Sequence, residues 1–152
     1  MIRLLFTRQP TIWSHAIRHA QRSPYSHVTL LLPDGGYDAR FWRGVARYPL
    51  STIWAWLESE CSGYTVGIVQ DADHERAHRF CRSQVGKPYD WKAVLGIGLH
   101  RDWRDDAAWF CSELVAAALE YAGIEPVAKD ASRVTPDDLL RSPVLTIVKG
   151  EI

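Results

Sequence analysis

Residues 26–42 read SHVTLLLPDGGYDARFW, and the way this stretch folds back decides the architecture. Ser26 to Leu32 is a β-branched and leucine run, the signature of a strand. Pro33-Asp34-Gly35-Gly36 is a hairpin-type turn, and Tyr37 to Trp42 returns as the partner strand, so the pair is antiparallel. Alternation puts Tyr37, Ala39 and Phe41 on one face and Asp38, Arg40 and Trp42 on the other. A symmetric pairing around Gly35-Gly36 brings Asp38 near Leu32 or Leu31.

Outward from the hairpin, Ile2 to Thr7 reads as a first strand and Thr11 to Gln21 as a short helix. Thr11 is its N-cap candidate, with Ile12, His15, Ala16 and His19 on one face. Thr52 to Ser59 suits a short helix and Tyr64 to Val69 a strand. Asp73 to Val85 is helical, with Asp71 or Asp73 as cap and Ala77, Phe80, Cys81 and Val85 as its apolar stripe. Residues 86–108 form a long connection rich in Gly and Trp, a kind of loop that is often functional. Phe110 to Ala122, FCSELVAAALEYA, is the strongest helix, ended by Gly123, and Thr146 to Lys149 gives a last strand. Strand and helix do not alternate regularly, so the class is α+β with an antiparallel sheet packed against the strong helix.

The composition narrows what this fold can do. At 152 residues and 47% apolar content the chain suits one domain, 1–152, with a sizeable core. Eighteen basic residues balance eighteen acidic ones, which disfavours dedicated nucleic-acid binding. No run of 18 apolar residues exists, so no spanning helix is expected. The opening MIRLLFTRQP lacks an h-region and a small-residue cleavage site. That reading, with an odd count of three cysteines (Cys61, Cys81 and Cys111), favours a reduced, cytoplasmic setting. Seven Trp, six Tyr and four Phe suggest a compact core or an aromatic-lined cleft.

Cys111 is the first chemical candidate. It opens the strong helix, where unpaired N–H groups and the helix dipole favour a thiolate and can hold an oxyanion. A buried structural cysteine is the commoner fate; a base elsewhere in the chain tips the balance. His27 is that base, at the start of a strand after Ser23-Pro24-Tyr25-Ser26. Asp38, across the hairpin, is the candidate to orient the imidazole; Asp34 is a rival that turn chemistry explains. His15 with His19, and His74 with His78, have metal-ligand spacing but no third ligand, so packed or solvated helix faces are expected and no metal. Glu113 is read as a partner of its helix's first turn or of a basic neighbour. Trp91, Trp103 and Trp109 are read as core or cleft.

Three segments carry a resemblance: Ser-Pro-Tyr-Ser-His-Val (23–28), Phe-Cys-Ser-Glu-Leu-Val (110–115) and Thr-Pro-Asp-Asp-Leu (135–139), joined by Gly-Lys-Pro-Tyr-Asp-Trp (86–91). Together they resemble the permuted branch of the NlpC-type, papain-like cysteine peptidases and amidases, which includes YiiX-like hydrolases, with lecithin retinol acyltransferase-like enzymes more distant. In that branch the histidine strand precedes the cysteine helix, and the third polar residue follows in the next strand, often as Glu before Ala; here the pair is Asp38-Ala39. The resemblance implies a small papain-like fold, an acyl-enzyme mechanism through Cys111, His27 and Asp38, and neither metal nor other cofactor. Tyr25 and Ser112 become the candidates for substrate or oxyanion contacts. The substrates implied are a peptide, a cell-wall fragment such as a peptidoglycan stem peptide, or an N-acyl compound. Acyl transfer and a non-catalytic binding module are the alternatives. Action on a wall would need delivery by a phage particle or secretion machine.

Overall fold

The structure is a computed structural model that describes residues 1–90 and 108–148. The elements run β1 (Ile2–Arg8), α1 (Ile12–Gln21), β2 (His27–Leu32), β3 (Gly35–Arg40), β4 (Gly44–Tyr48), α2 (Leu50–Glu60), β5 (Gly63–Val69), α3 (His74–Gln84) and α4 (Cys111–Tyr121). A 3-10 turn (Ala131–Arg133), α5 (Pro136–Leu140) and β6 (Leu145–Val148) follow. The six strands form one sheet in the order β4-β3-β2-β1-β5-β6, and every neighbouring pair is antiparallel. The fold is therefore mixed α+β, as the sequence pattern predicts.

Both faces of the sheet are covered, which is why β1 reads as an almost unbroken apolar run. On one face Leu4, Phe6, Val28 and Leu30 pack against Ala77 and Cys81 of α3 and Val115 and Leu119 of α4. On the other, Leu5, Leu31 and Val66 pack against Ile53 and Leu57 of α2. α4 carries eight buried residues and runs against β2 and β3. It stops at Gly123, where the N–H groups of Gly123 and Ile124 return to the carbonyls of Glu120 and Leu119.

The hairpin register differs from the symmetric expectation. Leu32 pairs with Gly35, Leu31 with Gly36 and Leu30 with Tyr37, so the turn is Pro33-Asp34 and both glycines lie in β3. Gly36 sits under α2: a Cβ there would stand 2.4 Å from Ile53 Cδ1 and 3.1 Å from Leu31 Cδ2. Packing, rather than turn chemistry, uses that glycine. The shift matters for the site, because the same register extended along β2 sets Thr29 opposite Asp38, with His27 two residues away on the same face.

Other expectations are corrected by the structure. Strand β3 ends at Arg40, so Phe41 and Trp42 occupy the turn into β4, a strand the sequence reading did not predict. Helix α1 has Thr11 as its N-cap, but Ile12, His15, Ala16 and His19 face solvent. Its docked side is centred on Ser14, whose hydroxyl meets that of Ser26 at 2.7 Å and accepts the Gln9 N–H. A polar contact, not an apolar stripe, seats that helix. In α3, Asp73 is the cap and Ala77 and Cys81 are buried, while Val85 lies beyond the helix and is exposed. Trp91, Trp103, Asp105 and Asp106, from the connection before Cys111, lie outside the described residues, as does Lys149. Among the described residues no helix is long and apolar enough to cross a membrane.

Candidate active site

His27 opens β2 because the residues before it are tied down. The Ser26 N–H donates to the Thr7 carbonyl at 3.1 Å, its hydroxyl meets Ser14, and Thr7 pairs with His27 across β1–β2. Asp38 then faces the ring, with Nε2 of His27 lying 2.6 Å from Asp38 Oδ1. The other carboxylate oxygen accepts from Arg40 Nε at 2.8 Å and from the Thr29 hydroxyl at 3.2 Å. Asp38 is fully buried, so three donors compensate its charge in a place where an unpaired carboxylate would be costly.

Cys111 is the first residue of α4, a free thiol exposed over only 1% of its surface. The side chain of Glu113, one turn in, accepts the Phe110 N–H at 3.3 Å, the first-turn role expected of it. The sulfur lies within range of the His27 ring and favours its charged form. Burial works against the imidazolium, but the charges of Asp38 and Cys111 and the hydrogen bonds to both outweigh it and raise the His27 pKa from 6.5 to about 10. Burial likewise pushes Asp38 up, yet His27 and then Arg40 bring its pKa down from 3.8 to about 2. The helix thiol, the imidazole and the carboxylate thus meet, although they come from α4, β2 and β3.

The two binding candidates fare differently. The Ser112 hydroxyl donates to the Val134 carbonyl at 2.5 Å and is fully buried, so it fixes the segment after α4 and does not offer itself to an oxyanion. Tyr25 is half-buried against the main core, its ring 6.3 Å from that of Phe6.

Tyr89 is the site residue that sequence reasoning missed. Burial raises its phenol well above the ordinary value of 10, and Cys111, Asp38 and Asp90 add to the rise. The phenol stays protonated near neutral pH, and its ring lies 6.0 Å from that of Phe110, the residue before Cys111. Its position comes from pairing: the Val45 N–H donates to the Lys87 carbonyl at 2.8 Å, and the Trp109 N–H to the Pro88 carbonyl at 3.0 Å. The only sequence signal was its place in Gly-Lys-Pro-Tyr-Asp-Trp. Phe41 packs edge-on against Tyr89 with centroids 5.9 Å apart, and Trp42 against Phe41 at 4.5 Å. Phe41 is 54% and Trp42 90% exposed. Trp109 is half-buried, with its indole N–H donated to Gln84 at 3.1 Å.

A cavity of about 300 Å³ lies at the far end of β2 from His27, lined by Leu32, Pro33, Asp34, His74, Glu75 and His78. His78 stands 3.5 Å from Asp34, and His74 3.5 Å from Glu75. Asp34 also takes Arg47 at 2.7 Å. His15 Nδ1 accepts from Arg18 Nη2, 2.8 Å away. Among the described residues no group of three or more His, Cys, Asp or Glu side chains is arranged to hold a metal ion.

No protein-family model and no curated protein matches the chain. Among solved structures it is similar to the metalloprotein yiiX of Escherichia coli O157:H7, at 22% sequence identity and a TM-score of 0.73, over 98% of this chain and 96% of that one. The likeness extends over essentially the whole of both chains, and what it establishes is a shared fold.

Proposed function

We propose that the protein is a cysteine hydrolase with a circularly permuted, NlpC-type papain-like fold, cleaving amide bonds through an acyl-enzyme. The observation that carries this reading is the His27 ring, fixed by Asp38 at Nε2 with the Cys111 thiol as its other partner. With an ionised carboxylate 2.6 Å away, Nε2 carries the ring's proton, which leaves Nδ1 to take the proton of the thiol. The thiolate attacks the substrate carbonyl, and N–H groups at the start of α4 stabilise the oxyanion, with the Tyr89 phenol as a further donor beside them. His27 then protonates the leaving amine. Neutral again, it activates the water that releases the acid. Because Cys111 is so nearly buried, turnover requires an opening over the sulfur.

The leading substrate is a peptide amide, with a peptidoglycan stem peptide as the first to try. One observation favours a second reading, an N-acyl or lipid-ester substrate: the exposed Phe41 and Trp42 form an apolar ledge leading to Tyr89. Acyl transfer to an added amine, in preference to water, would identify a transferase. The yiiX protein is described as a metalloprotein. In this chain the Asp38 carboxylate is already engaged by His27, Thr29 and the Arg40 guanidinium, a donor set that does not fit a metal, and no step runs through one.

The test is Cys111→Ala, which should abolish hydrolysis while the melting temperature is retained. Turnover surviving in that variant rejects the assignment. Electrophile labelling separates an enzyme from a binding module. Burial pushes the Cys81 thiol up to about 12 and also raises Cys61, so Cys111 should react fastest by a wide margin at neutral pH.

A further inference from the structure

Arg40 does not touch the reacting atoms, yet it holds the group that holds the base. Its Nε donates to Asp38 Oδ2 at 2.8 Å, while its guanidinium carbon lies 3.8 Å from the centroid of the Trp56 ring on α2 and 6.0 Å from that of Tyr48. The side chain is pinned on its edge by a carboxylate and on its flat face by an indole, with only 27% of its surface exposed. The terminal torsion of an aspartate is soft and nearly two-fold, so a carboxylate bonded to His27 alone would have little to define its plane. Arg40 and Thr29 supply that definition by occupying the second oxygen.

We propose that Arg40, braced by Trp56, is a positioning residue that fixes the Asp38 orientation in which Oδ1 faces His27 Nε2. The proposal rests on the hydrolase reading for its consequence in catalysis, but the positioning itself is a statement about one hydrogen bond. Sequence and topology converge on it. Asp38 and Arg40 are two apart in β3 and share the face toward α2. Helix α2 packs against that face through Ile53 and Leu57, which sets the indole over the guanidinium. A single line of contacts then runs from α2 through Arg40, Asp38 and His27 to the sulfur on α4, joining the helices on opposite faces of the sheet.

The experiment compares Arg40→Met, Arg40→Lys, Asp38→Asn and the double variant Asp38→Asn with Arg40→Met, all in the full chain. Two quantities are read: the downfield proton resonance of His27 Nε2, and the rate at which iodoacetamide alkylates Cys111. Arg40→Met should remove or broaden the resonance and slow alkylation by about 10- to 100-fold, the scale of a misplaced catalytic group. Arg40→Lys, which keeps the charge but not the planar stack, should recover part of both. In the Asp38→Asn background Arg40→Met should have no further effect, because Arg40 acts only through that carboxylate. If Arg40→Met does not fold, Trp56→Leu loosens the same brace and should weaken the same resonance. A resonance that survives Arg40→Met unchanged, or equal losses in both backgrounds, overturns the proposal. An Arg40-dependent resonance beside a Cys111 that alkylates no faster than Cys61 upholds the positioning and defeats the hydrolase reading instead.

Discussion

A carboxylate 2.6 Å from Nε2 leaves His27 one nitrogen with which to meet a thiol. The pairing is also a stability device with a definite sign. The pKa of His27 is raised, so the stabilisation from its charge is complete below 6.5 and disappears as the pH climbs through about 10. That of Asp38 is lowered, so its contribution is complete above 3.8 and is lost as the pH falls through about 2. Asp38→Asn should therefore cost about 2–3 kcal/mol near neutral pH, the worth of hydrogen bonds to charged groups, and distinctly less above about pH 10. Melting at a series of pH values reads this directly; a deficit independent of pH would show that His27 is not charged in the folded protein. At this scale the meeting of Cys111, His27 and Asp38 was legible because residue type and a position at an element's start or in a hairpin pointed to these three together. Tyr89 was not, because nothing local to Pro88-Tyr89-Asp90 says which strand and which tryptophan will pair with it.

Among the elements, the β2–β3 hairpin shows where sequence reasoning stops. Gly35-Gly36 looks like a turn, but Gly36 is needed flat beneath Ile53, and only the finished packing of α2 reveals that. The actual turn, Pro33-Asp34, sets Asp38 opposite Thr29, two residues closer to His27 than a pairing with Leu31 would. Strand β4 was missed for a related reason. It is short, Gly44–Tyr48, and its interest lies in what it touches. Gly44 has φ of +65°, and a Cβ there would stand 2.2 Å from the Lys87 carbonyl oxygen. Gly44→Ala should cost about 1–3 kcal/mol through backbone strain and that clash. It should also slow Cys111 labelling, since the same contact seats Tyr89. Loss of stability with unchanged labelling would uncouple the two.

In the whole molecule, several of the exposed large apolar side chains stand near the strand ends that flank His27. The turn after β3 carries Phe41 and Trp42, the first turn of α1 carries Ile12 and Trp13, and Tyr64, the second residue of β5, lies opposite Thr7. Trp42→Ala should change stability by no more than about 0.5 kcal/mol, as expected of a surface site. If the ledge receives substrate, the same change should raise KM and leave kcat nearly alone; an unaltered KM would remove Trp42 from substrate binding. The α+β class and the antiparallel sheet were readable from strand alternation and from the absence of a regular strand–helix rhythm. The two-sided covering of the sheet was not, because an apolar run such as that of β1 looks the same whichever helix lies on it.

The order of elements along the chain has one more consequence. β2 and β3 leave the ribosome long before α4, so a growing polypeptide holds its imidazole and carboxylate while the sulfur has yet to be made. The proposed nucleophile therefore joins its proposed base and carboxylate only when α4 packs on β2 and β3, so the proposed chemistry belongs to the finished chain alone.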